Sequence, residues 1–205
     1  RSIPQESTRT YAFEMWMKSP MPMVTMVKTL NITRLVKVSR KTGMKLNMLM
    51  CWCIGKAARD IEEFYLMPEQ GKLFSYDRLA INAIMPNHKG GINSCDIPFS
   101  DDLQRLHQDY QELTAQAASE CKNTSFEDCA VIGTSAVIQT ELDTIVNQYS
   151  GIFNNPFLAW GKYRKGLFKS TLPVSLQFHH VQMDGCQAAT FLQRLQDEIK
   201  KVRNE

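Results

Sequence analysis

The sequence has little of several features that assign a function directly. It contains only four histidines and eight prolines, and its formal net charge is only +3. Lysines and arginines are scattered along the chain, so the charge balance does not favour a nucleic-acid-binding protein. No run of 18 uncharged apolar residues occurs that would span a bilayer. We therefore expect a globular protein with neither nucleic acid nor a membrane among its partners.

The cysteines have none of the spacings typical of a zinc site or a redox pair. Six are present, at positions 51, 53, 95, 121, 129 and 186. No two of them form a C-x-x-C motif, and the first two fall in an apolar helical stretch. Since no signal peptide is recognisable, we expect reduced thiols and a cytoplasmic location.

Hydrophobic periodicity predicts strands mixed with helices. Strands are expected over 23–30, 129–138, 157–163 and 172–180, with two more short ones separated by a turn within 71–91. Helices are expected from residue 31 or 33 to Gly43, over 46–64, from Asp101 onward, and at the carboxyl end. This mixture predicts an α/β (α+β) two-layer sandwich, with a mixed β-sheet covered by helices, in a single domain over residues 1–205.

Two of the histidines are adjacent, at the end of the last predicted strand and just before Asp184 and Gly185. Strand alternation places His180 on the apolar face with Phe178, and His179 on the opposite face. Desolvation there would keep His180 neutral, and a neutral imidazole can accept a proton near pH 7. His180 is therefore a candidate general base, whereas we assign His179 a structural role.

A structural interpretation of the same residues stays open. His180 would then be a buried histidine bonded to the backbone, and Asp184 a helix cap. A metal site is not expected, because the two histidines lie on opposite strand faces and would not converge with Asp184 on one ion.

The motif and its surroundings resemble the chloramphenicol acetyltransferase family. The resemblance rests on "LPVSLQ", the double histidine, Asp184-Gly185 and a following amphipathic helix, and it is colinear over essentially the whole chain. "TRTYAFEMW" resembles the family's opening, with Arg9, Phe13 and Trp16 in matching places. Further matches are "MKLNMLMCWCIGKAARDIEEF", "GKLFSYD", "IPFSDDLQRLHQDY" and "NNPFLAWGKY".

The resemblance implies a fold, an assembly and a chemistry. The fold would be a chloramphenicol acetyltransferase-like sandwich, and the assembly a homotrimer with its active site in a cleft between subunits. His180 would take the proton from a small-molecule hydroxyl acceptor as the oxygen attacks the thioester of acetyl-CoA, with no acetyl-enzyme. Asp184 would pair with Arg9 and brace the loop that orients His180. Acetyl-CoA would be a co-substrate, with no permanently bound cofactor.

The basic stretch from Lys162 to Lys165 has two interpretations. It has the composition of a solvated hairpin tip. By resemblance, however, Lys162 and Tyr163 fall where the family has a lysine and a tyrosine near the adenosine and phosphate end of coenzyme A, and Lys45 matches another such lysine. Lysines beside phosphates and a ring against adenine are the residue types that this task requires.

The chain departs from the family pattern where a donor to the oxyanion is expected. The family's serine falls on Gly133, its water-holding threonine on Ala159, and a phenylalanine of its antibiotic pocket on Ile92. Thr134 or Ser135 would substitute only if the strand shifted, and a one-residue shift reverses which side chains face inward.

We therefore predict an acyltransferase that moves an acetyl group from acetyl-CoA to chloramphenicol or another hydroxyl compound. Two alternatives remain. One is a catalytically impaired trimeric relative that acts as a ligand-binding or interaction protein, and the other is a lipoyl-type acyltransferase core, which shares the H-x-x-x-D-G spacing.

Overall fold

The structure, a computed structural model, describes residues 9–203. The helices are α1 Thr10–Trp16, α2 Thr33–Thr42, α3 Leu46–Ala58, a 3-10 turn Glu62–Tyr65, α4 Leu103–Glu120 and α5 Gly185–Lys201. The strands are β1 Met23–Asn31, β2 Leu66–Glu69, β3 Lys72–Ser75, β4 Arg78–Pro86, β5 Ile92–Pro98, β6 Cys129–Val137, β7 Phe157–Gly161, β8 Arg164–Lys165 and β9 Ser170–His179.

The large sheet is mixed, as predicted. Its strand order is β1-β9-β7-β6-β4-β5, with β8 paired to β9, while β2 and β3 form a separate hairpin. The pairs β4–β6 and β6–β7 are parallel, and the other pairs of the large sheet are antiparallel. Among the described residues, no helix is long and apolar enough to cross a membrane.

Helix ends follow local sequence signals. Gly43 ends α2 in the left-handed conformation, with φ +77, which glycine adopts without steric cost. Asp102 is the N-cap of α4, because its carboxylate accepts hydrogen bonds from the backbone N–H groups of Gln104 and Arg105. The predicted stripe of α5 is buried as expected, at Ala188, Phe191, Leu192, Leu195, Ile199 and Val202.

The two faces of the sheet differ in composition. Strand register places an apolar row on one face, with Thr134 its one hydroxyl: Cys95, Ala83, Thr134, Leu158, Leu176 and Met26. Helices α3 and α5 pack against each other and belong to the same buried core. The next row, on the opposite face, is mostly polar: Asp96, Asn82, Gly133, Phe157, Gln177 and Thr25.

The residues that connect β6 and β7, which we call the 138–156 segment, cover part of this polar face. Ser175 Oγ accepts a hydrogen bond of 3.0 Å from the backbone N–H of Ile145, and Gln177 donates to the Asn147 carbonyl at 2.7 Å. The segment has no helix or strand of its own. It is therefore held to the sheet mainly through polar side chains of β9.

Several predicted boundaries were wrong. The helix expected over 46–64 ends at Ala58, and β2 and β5 were not predicted. The strand expected over 172–180 starts at Ser170 and ends at His179, so His180 lies in the turn that follows it. Further apolar residues follow α3, so hydrophobicity alone did not show where α3 ends and where the 3-10 turn and the β2–β3 hairpin begin.

Candidate active site

The histidine pair lies where β9 gives way to the turn before α5. His179 is the last strand residue and is only 1% exposed. The His180 side chain is 26% exposed. The burial expected for His180 is therefore found at His179, because β9 ends one residue earlier than the alternation argument assumed.

Arg9, near the amino end of the described residues, forms hydrogen bonds with several residues of this turn. Its guanidinium donates two hydrogen bonds to the Asp184 carboxylate, Nη1 to Oδ2 at 2.5 Å and Nη2 to Oδ1 at 2.9 Å. It also donates to the carbonyls of His180 at 2.6 Å and Val181 at 3.0 Å. Arg9 is only 5% exposed, so one buried side chain fixes both the carboxylate of Asp184 and the backbone of His180. The predicted pairing of Arg9 with Asp184 is present.

The imidazole of His180 is fixed on two sides. It stacks on the Trp16 indole with ring centroids 4.4 Å apart and an interplanar angle of 9°. Its Nδ1 lies 3.1 Å from Asp184 Oδ1, yet no well-aligned hydrogen bond reaches Nδ1. We interpret this contact as close electrostatic pairing rather than a formed hydrogen bond, because direction decides hydrogen bonding as much as distance does.

Arg9 also sets the charge state of Asp184. The hydrogen bond from the guanidinium lowers the pKa of the carboxyl below its ordinary value, and the positive charge of Arg9 acts in the same direction. An ionised Asp184 is the form that can orient a neighbouring imidazole. The backbone N–H of Asp184 donates to Gln187 Oε1 at 3.2 Å, so the residue also sits at the start of α5.

His179 has a structural environment, as expected. Its Nδ1 accepts a hydrogen bond of 3.1 Å from the backbone N–H of Val181, and Tyr149 meets its ring edge-on. Burial, together with the neighbouring His180, lowers its pKa to about 4. His179 is therefore a neutral hydrogen-bond acceptor at pH 7.

The three residues predicted to contact coenzyme A line the same cleft. Lys45, Lys162 and Tyr163 line a cleft of about 430 Å³ at the far end of β9, together with Leu46, Asn47, Ile138, Trp160, Gly161 and Leu172. Lys45 precedes α3, whereas Lys162 and Tyr163 follow β7. Residues distant in sequence thus place two ammonium groups and one phenol ring around an open, mostly apolar space.

This cleft and the histidine pair lie at opposite ends of β9. Leu172 lines the cleft and His179 ends the strand. At the rise of an extended strand, these two residues are about 23 Å apart. The three candidate residues for coenzyme A are therefore not grouped with Arg9, His180 and Asp184 in the same chain.

The surroundings of Gly133, which falls where the resemblance implies an oxyanion donor, exclude a larger side chain. Gly133 lies on the polar face of β6, and a Cβ atom there would come within 2.4 Å of the Phe157 ring and 3.0 Å of Asn155 Nδ2. The space of the absent side chain is therefore occupied. Thr134 does not replace it, because its hydroxyl faces the opposite side and donates to the Asn82 carbonyl at 2.8 Å.

A second cavity, of about 520 Å³, lies over the polar face. Its floor includes Asn82, Asp96, Gly133 and Gln177, and the 138–156 segment closes one side from Asn147 to Ser150. Ala159 is buried next to Ser175 and does not line this cavity. Ile92 is 72% exposed on the edge strand β5 and lines neither of these two cavities.

No cysteine lines the coenzyme cleft or the cavity over the polar face. All six cysteines are unpaired. Burial raises the pKa of Cys51 to about 12 and those of Cys95 and Cys129 to about 11. Within residues 9–203, no group of three or more histidine, cysteine or acidic side chains is arranged to hold a metal ion.

Comparison with known proteins decides the family. The family model described as "Chloramphenicol acetyltransferase" matches residues 3–196. The chain belongs to the chloramphenicol acetyltransferase family. Chloramphenicol acetyltransferase 3 of Escherichia coli is 23% identical over 176 residues, which cover 82% of this chain and 81% of that protein. This family membership supports an acyltransferase.

Solved structures confirm the fold expected for a chloramphenicol acetyltransferase. One chain named "chloramphenicol acetyltransferase" matches with a TM-score of 0.82 at 17% identity, over 97% of this chain and 99% of that one. A probable dihydrolipoamide acetyltransferase from Listeria monocytogenes matches with a TM-score of 0.73 at 14% identity, over 100% and 96% of the two chains. At these identities the likeness shows the fold alone.

The sequence predicted Arg9, His180 and Asp184 as site residues and the pairing of Arg9 with Asp184, but not the aromatic contact of His180. Trp16 was recognised only as an aromatic match, and its stacking on His180 was not predicted. Helix α1 is only seven residues long, so its hydrophobic periodicity does not show which of its aromatic side chains would contact the turn after β9. Asp96 was missed altogether, because its position in a cavity depends on the pairing of β4 with β5.

Proposed function

We propose that the protein is an acetyl-CoA-dependent O-acyltransferase that acetylates a hydroxyl group of a small molecule, with His180 as the general base. The observation that carries this proposal is the arrangement of Arg9, Asp184 and His180. A buried guanidinium fixes an ionised carboxylate, and that carboxylate lies 3.1 Å from Nδ1 of the imidazole. A positioned base next to an orienting acid is the arrangement that general-base catalysis requires.

Proton transfer would use the other ring nitrogen. Asp184 beside Nδ1 favours a proton there, which leaves Nε2 with a free electron pair. Nε2 takes the proton from the acceptor hydroxyl as its oxygen forms a bond to the thioester carbonyl carbon. The tetrahedral intermediate then expels the thiolate of coenzyme A, which receives the proton from Nε2. General-base assistance of this kind contributes ~10²–10⁴-fold to the rate.

Arg9, Asp184 and Trp16 act as positioning residues in this proposal. Arg9 holds Asp184 and the His180 carbonyl together, while the Trp16 indole fixes the plane of the imidazole. Fixing the ring in advance lowers the cost of reaching the reactive geometry.

Coenzyme A would bind in the cleft lined by Lys45, Lys162 and Tyr163. The two ammonium groups suit phosphates, and the phenol ring gives adenine an apolar surface. Its acyl group must still reach His180, at the other end of β9. We propose that the protein is a homotrimer in which these two ends meet across subunit boundaries. Six unpaired cysteines are consistent with a reducing, cytoplasmic location.

The alternative function is a catalytically impaired trimeric relative that binds a ligand or partner. Gly133, which lacks a side-chain donor, is the observation in its favour, since removing one oxyanion donor typically costs ~10²–10³-fold in turnover. Neither the family match nor the structural neighbours favour it.

A thiol-release assay tests the enzyme. Wild type, His180→Ala and the control His88→Ala, which removes an exposed histidine, are incubated with acetyl-CoA and a panel of hydroxyl compounds that includes chloramphenicol. Release by wild type and His88→Ala with loss in His180→Ala is the expected result. Equal rates for all three proteins, or no release with any acceptor, would remove the support for this proposal.

A mixed-subunit experiment tests the shared site. His180→Ala is refolded together with a Lys45→Glu, Lys162→Glu variant, each inactive alone. If base and coenzyme cleft come from different copies, about a quarter of the sites in a random mixture are intact. If both come from one copy, activity stays at background. Sedimentation as a stable monomer would also contradict the trimer.

A further inference from the structure

The cavity over the polar face contains an unusual charged group. Asp96 is only 5% exposed and lies on its floor, next to Asn82 on the neighbouring strand. The Asn82 amide donates to one carboxylate oxygen at 2.7 Å, and the backbone N–H of Phe126 reaches the other at 3.4 Å. A carboxylate has about four acceptor positions, so these two donors leave it incompletely satisfied.

Among the residues that the structure describes, no positive charge compensates Asp96. In residues 9–203, no lysine, arginine or histidine lines the cavity, and Asp96 makes no salt bridge. Burial raises the pKa of its carboxyl, as expected for an acid whose charge is not balanced. A buried ion without a partner is costly, and such groups are normally paired or bind a ligand.

The rest of the cavity defines the ligand further. Side chains that can hydrogen-bond line the rest of the cavity, with Ser94 on the same strand as Asp96 and with Gln177 and Asn155 further across the sheet. Ile84, Phe153 and Phe157 supply apolar walls. A volume of about 520 Å³ is within the usual range for small-molecule sites. The lining therefore suits a compact organic molecule with a positive charge and additional polar groups.

We propose that this cavity binds an amino alcohol, with the ammonium group of the ligand paired to Asp96. This inference rests on the proposed acyl transfer, since it assigns the chemical class of the acceptor. Such a ligand would be acylated on its hydroxyl and not on its amine. An ammonium nitrogen held by Asp96 has no free electron pair, so the oxygen of the same molecule is its nucleophile.

Binding of two isosteric probes tests the proposal without coenzyme A. The full-length protein in its native assembly is titrated calorimetrically with trans-4-aminocyclohexanol and with trans-cyclohexane-1,4-diol. These probes share ring and size but differ in one ammonium group. A charge-assisted hydrogen bond predicts that the amine binds wild type on the order of tenfold or more tightly than the diol.

Substitution assigns the preference to one residue. Asp96→Asn keeps the shape and the contact with Asn82 and should bind both probes equally. Asp77→Asn removes an exposed carboxylate outside the cavity and should keep the preference. Equal binding of the two probes by wild type would overturn the proposal even if Asp96→Asn did not fold, and so would an unchanged preference in a folded Asp96→Asn. Because no acyl donor is present, either result is distinguishable from a failure of acyl transfer.

Discussion

Adjacent histidines illustrate how strongly the surroundings decide the role of a residue. His179 ends β9, is buried and accepts a backbone hydrogen bond. His180 lies one residue further, partly exposed, between the Trp16 ring and the Asp184 carboxylate. The same side chain is thus a structural acceptor at one position and a candidate base at the next.

Substitution of Asp184 separates positioning from folding. Asp184→Asn loses the ion pair with Arg9 and the negative charge beside Nδ1, so kcat should fall on the order of 10²-fold with little change in KM. The free energy of unfolding should fall by only about 1–2 kcal/mol, because nearly half of the Asp184 side chain is exposed. Steady-state kinetics and urea unfolding measure the two effects.

The pH dependence of this loss has a definite sign. The pKa of Asp184 is lowered in the folded state, so its stabilisation is present above the ordinary carboxyl pKa and disappears as the pH falls. The difference in stability between wild type and Asp184→Asn should therefore shrink in acid. Asp197→Asn, which removes a similarly half-exposed carboxyl near Lys200, serves as the control for kcat. A loss of kcat as large in Asp197→Asn would contradict the positioning role.

His179 should make the protein sensitive to mild acid. Its pKa is lowered from 6.5 to about 4 in the folded state, so the unfolded chain binds the proton first. Stability should therefore decline as the pH falls from 6.5 towards 4, by up to about 3 kcal/mol from this residue. His179→Asn should flatten that slope in thermal melts, whereas the exposed His88→Asn should not. Parallel slopes for His179→Asn and wild type would refute this assignment.

Strand β9 is the element that organises both sites. Its carboxyl end presents the histidines, its amino end borders the coenzyme cleft, and its polar face anchors the 138–156 segment. The beginning of the segment contacts the end of β7 near Gly161, where the backbone N–H of Lys162 donates to the Thr140 carbonyl at 2.7 Å. The geometry of the cleft therefore depends on close contact between this segment and the end of β7.

Gly161→Ala should disturb that contact. An added Cβ would lie 2.8 Å from the Thr140 carbonyl oxygen and 2.9 Å from the backbone nitrogen of Leu142. Because backbone cannot move aside easily, we expect a loss of about 1–3 kcal/mol in stability and weaker coenzyme A binding. Thermal melts and calorimetric titration with coenzyme A measure these. Gly91→Ala, where the added atom meets only the Asn87 side chain at 3.2 Å, should lose less. Equal losses in both variants would contradict the close contact.

At the scale of the whole molecule, the core determines which thiols can react. Cys51, Cys53, Cys95 and Cys129 are buried, and burial raises the pKa of each thiol. Cys186 is exposed. The thiolate is the reactive form, so these four should be inert in the folded protein.

Titration with a thiol reagent at pH 8 checks this. The native protein should react rapidly at Cys186 and more slowly at the partly buried Cys121, while all six cysteines react in denaturant. Cys186→Ser should remove the fast phase. A fast phase of the same size in Cys186→Ser would show that a thiol of the core opens to solvent.

The sequence by itself determined the fold class and most of the helices and large-sheet strands, because these depend on a periodicity that is written along the chain. It also predicted Arg9, His180 and Asp184 as site residues, the last two from a local motif and Arg9 from the resemblance to the family. Only the tertiary structure decided which histidine is buried, that Trp16 stacks on His180, and that Asp96 lies in a cavity. It also gathered Lys45, Lys162 and Tyr163 at the far end of β9. These features depend on strand register and on contacts between residues far apart in sequence, which no local pattern specifies.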